Sequence, residues 1–117
     1  ALTIEENMEV MHALTGTKSK IDYSLILEKI GMPNMNNVLT RDISTGQKRR
    51  VGLTRLFMSE SKLWFLDEPF NALDKDGKNI IEKIITKHCN NGGMVLFTTH
   101  QKIEIDDYPI QNIHLGK

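Results

Sequence analysis

The chain has 117 residues, with 15 Lys plus Arg balanced by 15 Asp plus Glu, so nothing in its net charge predicts bulk attraction to nucleic acid or to an anionic membrane. That length suits one small domain or a part of a larger protein. The single cysteine, Cys89, permits no internal disulfide and points to a reducing compartment, and no apolar run approaches a membrane span or forms a signal-peptide layout.

Thr3 followed by Glu6 has capping-box spacing, and Met8, Met11 and Leu14 follow at helical intervals, so a helix is predicted over 4–14. "TGTKSK" breaks it. Asp22 is placed to cap a second helix carrying Leu25, Ile26 and Ile30 and stopping at Gly31. "GMPNMNNVLTRD" reads as a loop. A third helix is predicted over 45–59, with Leu53, Leu56 and Phe57 as its apolar face.

"KLWFLDEP" is a short apolar run ended by two acids and a proline, which fits a strand buried on both faces. "NALD" is a turn. Ile80, Ile81, Ile84, Ile85 and His88 share one face of a helix over 75–88, and "NNGG" ends it. "MVLFTTH" is a second buried strand, and "NIHL" is placed as a short third one. The front is helical and the back alternates strand, helix, strand, as in a parallel α/β unit.

Three stretches carry chemistry. The strand "LWFLDEP" delivers Asp67 and Glu68 to its C-terminal edge, where ligands bind in such folds. Adjacent carboxylates repel, and separate duties would resolve this. Asp67 can hold a Mg²⁺ ion through water, while Glu68 orients or deprotonates an attacking water. A solvated strand end before the turn at Pro69 is the plainer alternative. In "FTTH", His100 follows a buried strand and can donate a hydrogen bond to a phosphate oxygen, or it is a polar loop residue.

The third stretch is "ISTGQKRR". Ser44 is a suitable N-cap, and the first N–H groups of a helix lack internal partners at its positive dipole end. Gly46 lets an anion approach the backbone, while Ser44 and Gln47 add side-chain donors, so the opening suits a phosphate. Residues 41–55 hold five cations and one acid. Lys48, Arg49 and Arg50 lie at the wrong helix end for the dipole, which points to something negative nearby or to contacts with other acids. A capped surface helix with a solvated basic face is the plainer alternative. Asp74 either caps the following helix or contacts a facing surface.

In this order and spacing, "ISTGQKRRVGLTRL", "LWFLDEP", "NALD" and "TTH" resemble the signature motif, Walker B strand, D-loop and switch histidine of ABC-type ATPases. "RRVGLTRL", "LWFLDEPFNALDKDG", "KHCNNGG" and "TTHQ" are most similar to the ATP-binding subunits of the haem exporters of cytochrome c maturation. The resemblance implies an α/β fold: a partial P-loop NTPase core with parallel strands plus an α-helical signature subdomain. Residues 1–60 would form that subdomain and 61–117 the C-terminal half of the core.

It also implies the cofactors ATP and Mg²⁺. Asp67 would be the metal-associated acid, Glu68 the catalytic base and His100 the sensor of the γ-phosphate. Ser44, Thr45, Gly46 and Gln47 would touch ATP held by a second subunit of a homodimer, with Asp74 at the same contact. Integral membrane subunits would be further partners, placing the chain at the cytoplasmic face of the inner membrane, and no nucleic acid is expected.

Ile43 and Thr45 depart mildly from the signature pattern. The larger departure is the lack of any G-x-x-x-x-G-K-[ST] phosphate loop. The expectation is therefore the C-terminal part of a longer subunit, inactive alone, with apolar sheet surface exposed where further strands would pack. A soluble ABC-type ATPase acting on nucleic acid or ribosomes is the alternative, and a non-catalytic module a third, which Glu68 and His100 argue against.

Overall fold

The computed structural model describes residues 1–71, 73–106 and 108–115. Its first helix, α1 (Ile4–Thr15), begins at the reciprocal cap expected from sequence: Glu6 N–H donates to the Thr3 hydroxyl at 3.1 Å and Thr3 N–H to Glu6 Oε1 at 2.9 Å. Gly16 closes it in the left-handed region at φ 72°. Helix α2 (Tyr23–Lys29) starts where Asp22 accepts the Leu25 N–H at 3.1 Å. A short 3-10 turn at Thr40–Asp42 leads into α3 (Thr45–Met58). Strand β1 (Leu63–Leu66), α4 (Lys75–Asn90) and β2 (Met94–Phe97) follow.

The two strands pair in parallel, with Leu63 opposite Met94 and Leu66 opposite Phe97. The link between them carries α4, as a parallel pair requires. Residues 112–115 form no strand and are exposed, so the third strand expected there is absent. Ala72 of the predicted "NALD" turn lies outside the described residues, as do Gly116 and Lys117 at the end of the range assigned to the core.

Apolar burial falls into two clusters. The first joins α1, α2 and α3 through Ile4, Met8, Leu27, Ile30, Met32 and Val51. The second joins the strands to α4 through Trp64, Leu66, Phe70, Ile81, Ile84 and Ile85. Phe57 of α3 and Ile80 of α4 pack against both, so the two halves share a seam.

Helix α4 buries the face read from its isoleucine spacing. Elsewhere the faces shift. Leu14 is 83% exposed and Leu25 46%, because α1 docks through Ile4 and Met8 and α2 through Ile26 and Leu27. Helix α3 is wedged between both clusters, so Val51, Thr54 and Met58 are buried beside Leu56. The fully buried Thr54 hydroxyl is satisfied by the Val51 carbonyl.

The strands are not buried on both faces. Trp64 and Leu66 point at α4, whereas Leu63, Phe65, Met94 and Leu96 stand 47–67% exposed. Among the described residues only one helical layer covers this sheet. The alternation inherent in a strand therefore leaves the second apolar face in water. That exposed face is the one expected from sequence for a sheet lacking neighbours.

Candidate functional site

The acids at 67 and 68 emerge where β1 ends. Glu68 adopts φ 45°, a left-handed conformation uncommon outside glycine, and so turns sharply out of the strand direction. Its carbonyl accepts the Asn71 N–H at 3.1 Å, closing a turn. The strand alternation that would aim two neighbouring side chains in opposite directions is thereby broken at the second acid.

The adjacent strand supplies the remaining groups. Thr98 N–H donates to the Leu66 carbonyl at 3.0 Å, one step past the last paired residues. The Thr98 hydroxyl accepts the Glu68 N–H at 2.9 Å and donates to Asp67 Oδ1 at 2.7 Å. His100 Nε2 contacts Glu68 Oε1 directly, an ion pair when the imidazole is protonated. The His100 side chain is 89% exposed and that of Glu68 only 30%, so the histidine approaches from the open side. Glu68, Phe70, Asn71, Thr99, His100 and Gln101 enclose a hollow of about 20 Å³, room for one water.

Thus Asp67, Glu68 and His100 do converge on one sheet edge. Thr98 was missed by sequence reasoning. The signal for it was the strand pairing itself, since whatever follows "LF" in β2 must lie beside whatever follows "FL" in β1.

Asp67 carries the carboxylate that a divalent cation at this edge would use. Thr98 occupies its Oδ1 and leaves Oδ2 for a ligand. Among the described residues no group of three or more His, Cys, Asp or Glu gathers as a cation cage. One carboxylate with the remaining ligands from water and phosphate is the donor set Mg²⁺ prefers, so the residues present fit that ion.

Ser44–Gln47 form a second locus at the start of α3. Gln47 N–H donates to Ser44 Oγ at 3.1 Å, and Ser44 N–H to Gln47 Oε1 at 2.9 Å. This box fixes both side chains yet leaves the Ser44 hydroxyl proton and the Gln47 amide N–H₂ available. The first intrahelical bond is Lys48 N–H to Ser44 O at 2.9 Å, so the Thr45 and Gly46 N–H groups precede it. A Cβ built on Gly46 meets nothing closer than Ser44 Oγ at 4.0 Å, so the backbone there is open to an approaching anion. No hydrogen bond among the described residues joins this locus to Glu68 or His100.

Asp74 caps α4, accepting the Gly77 N–H at 2.8 Å and pairing with Arg50 at 3.2 Å. The Gly77 N–H first, and then the Arg50 charge, hold its carboxyl below the usual aspartate range. Arg50 also reaches the Ile30 carbonyl at 3.4 Å, while Arg49 bonds the Asn71 carbonyl. Two of the three cations after Gln47 are therefore spent on this chain's own acid and carbonyls.

A family model described as ABC transporter matches residues 1–71. The chain is 38% identical over 116 residues to the cytochrome c biogenesis ATP-binding export protein CcmA of Aliivibrio fischeri, covering 99% of this chain and 57% of that protein. To the protein of the same name from Photobacterium profundum it is 43% identical over 91 residues, 78% of this chain and 42% of that one. The chain thus spans about half the length of the curated relatives it matches. A solved ATP-binding subunit of an ABC transporter superposes with a TM-score of 0.71 over 85% of this chain and 43% of its own, at 23% identity, a likeness of fold alone.

Proposed function

This chain belongs to the ABC transporter family, and from that premise we propose that it serves as part of an ATP-hydrolysing subunit that drives an exporter of cytochrome c biogenesis, of the haem-transporting class. The observation that carries this reading is the shared sheet edge, where Glu68 and His100 meet at a water-sized hollow and Asp67 stands beside them on the Thr98 hydroxyl. Residues 1–60 act as the helical signature subdomain and residues 61–117 as the C-terminal half of the nucleotide-binding core. The names of the relatives support the export assignment.

In the mechanism, Asp67 would hold Mg²⁺ through its free oxygen, directly or through water, and the bound ion would supply charge neutralisation for the phosphates. Glu68 accepts a proton from the attacking water, and its backbone turn keeps the carboxylate at the hollow rather than beside Asp67. His100, on the exposed side, exchanges its contact with Glu68 for a hydrogen bond to a γ-phosphate oxygen. The Ser44 hydroxyl, the Thr45 and Gly46 N–H groups and the Gln47 amide dock the γ-phosphate of ATP held by a second copy. Among the described residues no hydrogen bond joins these groups to Glu68 of the same chain, which supports this two-subunit arrangement, with Asp74 at the same contact.

Integral membrane subunits hold the homodimer at the cytoplasmic face of the inner membrane. None of the described helices is long and apolar enough to cross a membrane. Glu68→Gln in the full-length protein tests the chemistry. ATP turnover is expected to fall by about 100-fold or more with ATP still bound, and unchanged turnover refutes Glu68 as the base. Co-purification of membrane subunits, as against ribosomes or DNA, separates the exporter from a soluble ATPase.

A further inference from the structure

The Thr98 hydroxyl stands between two neighbouring acids. Leu66 and Phe97 are the last paired residues of the sheet, and the Thr98 N–H extends the ladder to the Leu66 carbonyl at 3.0 Å. The sheet itself therefore seats this side chain beside Asp67. A hydroxyl carries one proton and two acceptor lone pairs. The Glu68 N–H, 2.9 Å away, can only donate to it, so the hydroxyl proton goes to Asp67 Oδ1 at 2.7 Å.

We infer that Thr98 is the positioning residue that separates the duties of the paired acids, its hydroxyl gripping the Glu68 amide and Asp67 Oδ1 at once. The inference rests on the reading of Asp67 as the metal-side acid and Glu68 as the base. On the Asp67 side, one carboxylate oxygen is occupied and the plane of the group is fixed, which commits the other oxygen to the cation. On the Glu68 side, the amide is anchored in a left-handed conformation that a non-glycine residue adopts only when its surroundings hold it there. With the Glu68 carbonyl also engaged by Asn71 N–H, the backbone is pinned on both sides. The side chain is left aimed at His100 and the hollow. Thr99 cannot stand in. Its hydroxyl accepts the Gln101 N–H at 3.0 Å and donates to the Gln101 carbonyl at 2.9 Å, closing its own loop.

The test compares Thr98→Val, which keeps the shape without the hydroxyl, with Thr98→Ser, which keeps the hydroxyl, in the full-length protein. In Thr98→Val without nucleotide, hydrogen exchange at the Glu68 amide is expected to accelerate about ten-fold or more, the scale of one lost hydrogen bond to a charged network. In the same variant kcat for ATP falls by a similar factor while KM stays within about two-fold. Thr98→Ser restores both. Unchanged exchange in Thr98→Val overturns the inference, and so does a kcat loss that Thr98→Ser fails to recover. Should Thr98→Val not fold, Thr98→Ala against Thr98→Ser gives the same contrast. The exchange measurement judges the grip without reference to turnover, whereas intact turnover in Glu68→Gln removes the functional reading alone.

Discussion

Adding a single methyl at Gly93 tests the packing that seats the strands on α4. The Trp64 and His88 rings stack with centroids 3.5 Å apart and planes 7° from parallel, and His88 Nε2 lies 2.8 Å from the Lys62 carbonyl. A Cβ at Gly93 would fall 2.5 Å from both Cδ2 and Cε1 of that imidazole and closer still to Nε2. Gly93 has an ordinary φ, so Gly93→Ala adds a clash without backbone strain. The ring can yield only by leaving its stack, about 1 kcal/mol, and its hydrogen bond, about 1 kcal/mol. The sum, ~2 kcal/mol, agrees with the ~1–3 kcal/mol typical of overpacking. Trp64 is the sole tryptophan, so its emission reports urea unfolding without a label. The midpoint should fall by roughly 1 M for an m-value near ~2 kcal/mol/M. In a His88→Ala background the obstacle is gone, and Gly93→Ala should cost less than about 0.5 kcal/mol, as surface changes do. If the two losses add instead, the clash is not with His88 and the reasoning fails.

Ser44→Ala removes the acceptor for the Gln47 N–H and should destabilise the fold by about 1 kcal/mol in urea unfolding, while Ser44→Asp should lose only a few tenths of that. The Asp74 carboxyl has its pKa lowered by folding, so its contribution is complete above the ordinary value of 3.8 and disappears as pH falls through the lower folded value. The stability difference between the native chain and Asp74→Ala, followed by unfolding at successive pH values, should therefore be constant at neutral pH and close in acid; a difference that widens in acid contradicts the assignment. Phe65→Glu lies on the uncovered sheet face and should leave stability within about 0.5 kcal/mol while weakening the binding of a hydrophobic dye. A loss above about 2 kcal/mol would mean that the face is packed.

What the sequence disclosed and what it hid have a common physical origin. Caps are local: Thr3 with Glu6, Asp22, Ser44 with Gln47 and Asp74 each bond a backbone N–H three residues on, so the helix starts were readable. The isoleucine face of α4 was readable because one helix buries one stripe against one sheet. Strand burial was not, because an apolar run says that both faces resist water and nothing about how many layers are present to cover them. Residues such as Phe65 and Leu96 are apolar yet exposed for that reason. In the candidate site, Asp67, Glu68 and His100 were legible as polar residues ending apolar strands. Thr98 was not, because its importance comes from a register between segments 31 residues apart.

The same distinction explains the three cations that follow Gln47. In sequence they stand at the helix end where positive charge is least favourable. Arg50 resolves this by lying across the chain: it joins the end of α2 at the Ile30 carbonyl to the cap of α4 at Asp74, with its side chain only 17% exposed. A Cβ at Gly31 would meet Arg50 Nη1 at 2.9 Å, so the glycine that ends α2 also makes room for the guanidinium. Arg49 holds the Asn71 carbonyl, at the close of the turn that begins with Glu68. The helix whose opening amides face outward is thus fastened to the segment leaving the carboxylate edge. Moving Asn71 or Asp74 would therefore disturb α3 through Arg49 and Arg50, and the reverse holds equally. Of the three cations, only the exposed Lys48 has no ion pair or side-chain hydrogen bond among the described residues. Its charge is the one of the three not engaged within the described chain.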